Sequence, residues 1–201
     1  MPRHIRPAIV LLAALTAITG VAYPLAVAGV AEVAFPAQAN GSLILRGGKI
    51  VGSSLIGQNF ASPRYFHGRP SATSAPDPAD SSKTIDAPYN AANSSGANLG
   101  PTSQKLIDRV RGDAEAWRAT AGPGSIPADA VTTSASGLDP DITPQNAGAQ
   151  AAAIARARGL TEERLRALIA AQTERPLFGI LGEPRVNVLG INLALDQLGS
   201  D

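Results

Sequence analysis

The sequence predicts an α+β protein: one N-terminal transmembrane helix, then a single mixed α/β extracytoplasmic domain. Three observations carry this prediction. Pro7 to Ala31 is an apolar run without a charged residue. Ser103, Thr143 and Thr161 each stand just before a stretch with helical apolar spacing. Short apolar pieces bounded by Gly or Pro lie between and around these stretches, as strands do. On this reading residues 1–31 are the cytoplasmic end and membrane helix, and 32–40 a connector. Residues 41–201 are the exterior domain, with a long Pro/Ser/Asn-rich loop over 61–100.

As a helix, Pro7 to Ala31 is roughly 37 Å long at about 1.5 Å per residue, enough to cross about 30 Å of hydrocarbon. Within lipid a lone segment must pair its own backbone groups, which only a helix does. Pro24 lacks a donor, so a bend is expected near Tyr23-Pro24. Arg3 and Arg6 precede the run and Glu32 follows it, which places the N-terminus in the cytoplasm and the remainder outside. Ala37-Gln38-Ala39 resembles a signal cleavage site, but the apolar run is about twice a signal peptide's usual ~7–15 residues, which favours a retained anchor.

The 201 residues carry 17 Lys and Arg against 16 Asp and Glu, so no net field attracts nucleic acid. The chain has no cysteine, which removes thiol catalysis, iron–sulfur clusters and Cys-type zinc sites. Aromatics make up only 4% of residues, so the core should be aliphatic.

In chain order, Ser42 to Val51 reads as a hairpin turning at Gly47-Gly48, and Gly52 to Phe60 continues extended. Residues 61–100 read as loop or linker, although Tyr65, Phe66 and Tyr89 argue that parts are pinned. Ser103 caps a helix over Gln104 to Ala119, whose apolar face is Leu106, Ile107, Val110, Ala114 and Trp117, with Trp117 in the core. Gly122-Pro123-Gly124 ends it. Ile126 to Thr133 reads as a short strand. Thr143-Pro144 opens a helix that stops at Gly159. Thr161, followed by Glu162 and Glu163, opens another, with Leu165, Leu168 and Ile169 buried and Arg175-Pro176 as its end. Leu177 to Leu181 and Val186 to Leu189 are strand candidates, and Ile191 to Leu198 is a short helix or strand.

Catalytic patterns are sparse. Gly48-Lys49 lacks the rest of a phosphate loop, no GxSxG elbow occurs, and the only histidines are His4 and His67. Asp139 and Asp141 form either a cation or acid/base pair, or a turn whose carboxylates sit near the positive end of the Thr143 helix. Arg69 suits an anion or partner carboxylate, or an internal ion pair. Asn93 and Asn98 suit turn chemistry. Asn187 interrupts an apolar run, to satisfy a neighbouring backbone group or to face a partner.

Five segments, taken in order, resemble the C subunits (KdpC) of the Kdp potassium-transporting P-type ATPases of bacteria and archaea. They are Gly52–Phe60, Tyr65–Ala72, Tyr89–Ser103, Ser134–Gln150 and Gly182–Asp196. The resemblance implies a non-catalytic accessory subunit of a high-affinity potassium uptake pump, in the inner membrane with a single span. Its implied partners are a channel-like potassium subunit, a P-type catalytic subunit and a small single-span peptide. No cofactor is implied on this chain; ATP, magnesium and potassium belong to the partners. Gln58, Tyr65, Phe66, Arg69, Pro70, Asn98, Gly137, Asp139, Asp141 and Asn187 fall in the matching motifs as contact or structural candidates. The family commonly has His at Asp141, Gly at Ala135, an aromatic at His67 and Arg-Val at Ala152-Ala153. Asp141 therefore removes any histidine-dependent role from that turn. The alternatives are an anchored hydrolase using Asp139 and Asp141, or a stand-alone ligand-binding envelope protein.

Overall fold

The computed structural model describes residues 2–122 and 124–198, in two compact units that meet in sequence at Ser53 and Ser54. Pro123 lies outside the described residues.

In the first unit α1 (Pro2–Ala17) and α2 (Tyr23–Ala34) are joined through a π-turn over Ile18–Ala22. Arg3–Ala34 is a 32-residue helix long and apolar enough to cross a membrane. The π-turn is where the expected disturbance falls. Pro24 has no N–H, and in an α-helix its ring would press on the carbonyl four residues back. The preceding residue, Tyr23, donates its N–H to the Ile18 carbonyl, one residue further than α-helical spacing. The wider turn makes room for the ring. Thr19 Oγ1 also donates to the Leu15 carbonyl at 2.7 Å. A short α3 (Pro36–Ala39) follows, and Asn40 Nδ2 ties back to the Glu32 carboxylate at 3.0 Å. β1 (Leu43–Arg46) and β2 (Lys49–Ser53) then form the expected antiparallel hairpin, with Arg46 opposite Lys49. Gly47 (φ 58°) and Gly48 (φ 77°) supply the left-handed pair that a tight two-residue turn demands.

The second unit is organised by a small antiparallel sheet and three helices. β5 (Asp141–Ile142) and β6 (Thr173–Glu174) flank β7 (Arg185–Asn187) in the order β5-β7-β6. Val186 stands opposite both Ile142 and Thr173 and is fully buried. α5 (Pro144–Arg158) starts as the sequence requires. The Thr143 hydroxyl accepts from Asn146 N at 3.1 Å, Pro144 takes the first turn, and Gly159 closes it in the left-handed conformation. α6 (Glu162–Gln172) is capped by Thr161, and α7 (Val188–Leu198) follows β7 directly. Ala147, Ala151, Ile154 and Ala155 of α5 meet Leu165 and Ile169 of α6 and Ile191 and Leu195 of α7 around Phe66. The core is aliphatic, as composition demands, with one buried aromatic at its centre.

Several expectations give way to tertiary context. Residues 61–100 are not merely a linker. They contain a hairpin of β3 (Ser74–Pro76) and β4 (Thr84–Asp86) and a 3₁₀ turn at Ala91–Asn93. Ile126 to Thr133 is no strand: Ala128–Ala130 forms a 3₁₀ turn led in by Pro127. The strand expected over Val186 to Leu189 stops at Asn187, whose Oδ1 accepts from Gly190 N and starts α7. Leu177 to Leu181 is a closed turn rather than a strand. α4 (Gln104–Ala121) outruns its expected end by one half-turn, and Ser103 makes no side-chain cap bond. No α4 residue is fully buried; Ile107 is exposed and Trp117 is only half-buried, so Trp117 is not in the core. α6 ends at Gln172, before Arg175-Pro176, because Thr173 already pairs in the sheet.

Phe66 sits where no strand accompanies it, and its backbone is paired by a side chain. Its N–H donates to Asn192 Oδ1 at 2.8 Å and its carbonyl accepts from Asn192 Nδ2 at 2.9 Å. Asn192→Ala strands both backbone groups, at about 1–3 kcal/mol each. Phe66→Ala should cost about 3–5 kcal/mol as a core truncation. Urea unfolding of the full chain in detergent checks both; a midpoint unchanged for Asn192→Ala refutes the pairing role.

Candidate functional site

The motif residues gather along one path that joins the 61–100 segment to the sheet and to α5 and α7. Its first station is Tyr65, whose hydroxyl donates to Asp196 Oδ1 at 3.0 Å. Arg158 Nη2 reaches the same oxygen at 2.9 Å, and its guanidinium carbon lies 4.7 Å from the Tyr65 ring centre. Arg158 Nε also donates to the Arg64 carbonyl at 2.6 Å. Beyond Phe66, His67 repeats the amide pairing: its N–H donates to Gln150 Oε1 at 2.8 Å, and its carbonyl accepts from Gln150 Nε2 at 3.1 Å.

Arg69 is the next station. Nη1 pairs with Asp139 Oδ2 at 2.9 Å, and Nη2 donates to the Thr133 carbonyl at 3.3 Å. This is the internal ion pair and loop tie. Asp141 lies one step along, on β5, with Asp141 Oδ2 at 3.2 Å from Arg185 Nε and Oδ1 accepting from Asn187 Nδ2 at 3.1 Å. Arg185 Nη2 also meets Glu174 at 2.8 Å. Arg69, Asp139, Asp141 and Arg185 thus line one open cleft of about 260 Å³, with Asp129 and Glu183 at its wall. Each aspartate faces an arginine of the protein itself, which fills the role a cation would have. The carboxylate that serves the start of α5 is neither of them. Asp129 accepts from Thr143 N at 2.8 Å and from Thr143 Oγ1 at 3.2 Å. Among the described residues no cluster of three His, Asp or Glu is placed to hold a metal ion.

Tyr89 locks this region from beneath. Its backbone is left-handed (φ 61°), and its hydroxyl donates to the Arg69 carbonyl at 2.7 Å. Burial, with Asp139 adding to it, pushes the phenol up to about 12, so it stays a donor. The ring fills the space beside two glycines. A Cβ on Gly57 would strike the Tyr89 ring and the Asp139 carbonyl (2.6 Å), and one on Gly68 would strike the Tyr89 hydroxyl. Gly137 (φ 68°) closes the turn before Asp139: its N–H donates to Ser134 Oγ at 2.9 Å and its carbonyl accepts from Ser71 Oγ at 2.8 Å.

The remaining candidates divide. Asn187 satisfies neighbouring backbone groups: besides the bond from Gly190 N, its Nδ2 reaches the Ser54 carbonyl at 2.9 Å. Asn93 Nδ2 binds the Ser74 carbonyl at 3.0 Å, as turn chemistry requires. Gln58 is half-buried and its carbonyl accepts from Phe60 N. Asn98 is exposed and left-handed (φ 49°), a conformation asparagine tolerates. Pro70 lines a cleft of about 400 Å³ shared with His67, Tyr89 and Trp117. Sequence reading missed Asn192, Gln150, Arg158 and Asp196. The signal for Asn192 was available: a polar residue within the apolar INLAL run, of the kind already noticed at Asn187.

Residues 5–197 match the KdpC family model, described as K+-transporting ATPase, c chain. A potassium-transporting ATPase KdpC subunit of Rhodopseudomonas palustris (strain TIE-1) is 63% identical over 196 residues, covering 98% of each chain. Proteins of the same name from Methylorubrum populi and Bradyrhizobium diazoefficiens are 62% and 60% identical, again over 98% of each chain.

Burial raises the Asp141 carboxyl, outweighing the Asn187 hydrogen bond and Arg185. A pKa raised in the folded chain favours folding below the ordinary value of about 3.9, and that contribution is lost as pH rises through the raised value. Asp141→Asn should therefore gain stability relative to the parent chain as pH rises from the ordinary carboxyl value through the raised one. Paired urea titrations across that range check the sign, and a gap that narrows or reverses overturns it. Gly57→Ala should lose about 1–3 kcal/mol through overpacking against Tyr89, while Gly148→Ala, with open space at its Cβ, should not.

Proposed function

Since this chain belongs to the KdpC family, the c chains of K+-transporting ATPases, we propose that it fastens and supports a potassium uptake pump from the outer side of the membrane. It is a non-catalytic accessory subunit, and ATP hydrolysis lies on another subunit of the complex. The observation that carries this reading is the family match over residues 5–197, which takes in both the apolar helix and the mixed domain.

The finer reading concerns side, partners and surface. Arg3 and Arg6 at the first turns of the helix and Glu32 near its far end support a cytoplasmic N-terminus and an exterior domain in the inner membrane. The channel-like potassium subunit is the partner that such a domain meets, with the P-type catalytic subunit and the small single-span subunit in the same assembly. ATP, magnesium and potassium are then handled by those subunits. Of the candidate contact residues, Phe66, Gly137 and Asn187 are occupied in holding the fold. The Arg69–Asp139–Asp141–Arg185 row opens to solvent and is the surface this reading assigns to a partner. Arg185 is its most exposed member. Rim charges of this kind set partner choice and association rate more than affinity.

Detergent co-purification of the tagged chain with the two large pump subunits, with potassium-stimulated ATPase measured with and without it, tests the role. The complex should form and its activity should need this chain; a chain that purifies alone beside a fully active pump overturns the reading. Arg69→Ala and the more exposed Arg185→Ala should each lower the yield of assembled complex severalfold. Unchanged yield and potassium affinity in both would remove the charged row from the interface.

A further inference from the structure

The N-terminal helix pairs its own backbone except at one level. In an α-helix the Thr19 carbonyl would accept from the Tyr23 N–H, but that N–H goes to Ile18. The wider spacing of the π-turn would give the Thr19 carbonyl to residue 24, which is Pro24 and has no N–H. Pro24 is also the residue whose N–H the Gly20 carbonyl would take in an α-helix. One proline therefore leaves the Thr19 carbonyl without a helical donor and removes the α-helical donor of Gly20. The Thr19 hydroxyl does not repair this, because it donates back to the Leu15 carbonyl at 2.7 Å.

This level lies in the middle of the 32-residue apolar helix Arg3–Ala34. Acyl chains carry no donor and the hydrocarbon core holds no water, so a carbonyl there needs a donor from protein. No residue of the π-turn or of α2 is buried, so the described residues of this chain do not cover it. Gly20 is a second, independent observation. A Cβ built on it would meet only the Thr16 methyl, at an ordinary 3.8 Å. The chain itself has no steric need of glycine at 20, and glycine weakens a helix. A missing side chain beside open carbonyls lets the backbone of a second helix come close. A second copy of this chain is the wrong occupant: two copies inserted in one orientation and related by a two-fold axis set acceptor against acceptor at this height. We propose that the Thr19–Gly20 level of the π-turn is a notch for a transmembrane helix of another pump subunit, one that brings a hydroxyl or amide donor to these carbonyls at mid-membrane. This deepens the pump-subunit reading and rests on it.

The test uses the assembled pump reconstituted in lipid. The photoreactive residue p-benzoylphenylalanine is placed at Thr16, one turn from Gly20 on the same side, and in a second preparation at Leu12, one turn earlier. Irradiation should join at least one of them to a membrane segment of another subunit that contains Ser, Thr, Asn, Gln, Tyr or Trp, as mapped by peptide mass spectrometry. Adducts with lipid alone, with a second copy of this chain, or with a segment that has no donor each overturn the proposal. The donor found is then replaced by an apolar residue of similar shape, in pumps carrying the parent chain and in pumps carrying Pro24→Ala, which returns an N–H to the turn. The replacement should lower the yield of complex severalfold with the parent chain and much less in the Pro24→Ala background. Equal losses in the two backgrounds overturn the proposal. A parent chain that does not co-purify with the pump subunits overturns the reading beneath it, whereas co-purification with lipid adducts alone overturns the notch and leaves that reading standing.

Discussion

The second unit depends on one pairing: the backbone of Phe66 and His67 against the side-chain amides of Asn192 and Gln150. An extended segment that crosses a core needs partners for its N–H and C=O groups, because leaving them dry is costly. A sheet normally supplies them. Here the neighbours are α5 and α7, whose own backbone groups are used within the helices. A primary amide presents an N–H donor and a carbonyl acceptor side by side, so it mimics an adjacent strand residue and keeps a second N–H for another partner. Asn192 does this for Phe66 and Gln150 for His67, and the Gln150 Nε2 also bonds Asn146 Oδ1 at 2.9 Å. With those bonds made, the Phe66 ring can fill the centre of a core that is otherwise Ala, Ile, Leu and Val. The small side chains of Ala147, Ala151 and Ala155 on α5 leave room for it.

The charged row is a consequence of that placement. Once residues 65–67 are fixed, Arg69 is carried to Asp139, and the turn over Ser134–Leu138 is held by Ser71, Ser95 and Gly57. Arg69 and Asp139 are each about one-quarter exposed, so their pair is neither a screened surface bridge nor a fully desolvated one. Its worth lies between those limits, and its additional bonds to Thr132 and Thr133 make Arg69 a tie for three chain segments. Asp141 is different. Its environment disfavours its charge, yet Arg185 and Asn187 both address the ionised form. A carboxylate held this way can be kept because an arginine stands opposite it.

What was legible in the sequence was local. Thr143-Pro144, Thr161 with its glutamates, Gly159 and Gly47-Gly48 each act through bonds within a few residues, and each gave the right boundary. The uncharged anchor was legible for the same reason, since a membrane helix satisfies itself. The 61–100 segment was not. Its order comes from partners far along the chain, such as Asn192 for Phe66 and Asp196 for Tyr65, and composition carries no trace of them. Trp117 misled because apolar spacing on α4 was taken as burial. That helix has the spacing but little packed against it, and its aromatic residue lines a cleft. Ile126 to Thr133 has strand-forming residues, but Pro127 leads Ala128–Ala130 into a 3₁₀ turn instead. Of the motif residues, the ion pair of Arg69 and the backbone bonds of Asn187 were each foreseen as one of two alternatives, and both are formed.

A subunit that performs no chemistry acts through where it is held. The anchor confines the domain to the membrane that houses the rest of its pump, so its encounters with them are encounters at a raised effective concentration. Contacts that would be too weak in solution then suffice. The partly exposed ion pairs of the Arg69–Asp139–Asp141–Arg185 row, proposed above as a docking surface, suit that regime. It also explains why so much of the polar chemistry in the 61–100 segment is turned inward. A weak docking surface works only if its shape does not change on binding, because ordering a loop at the moment of contact consumes affinity that such contacts lack. Asn192, Gln150, Tyr89 and Arg69 order the segment in advance.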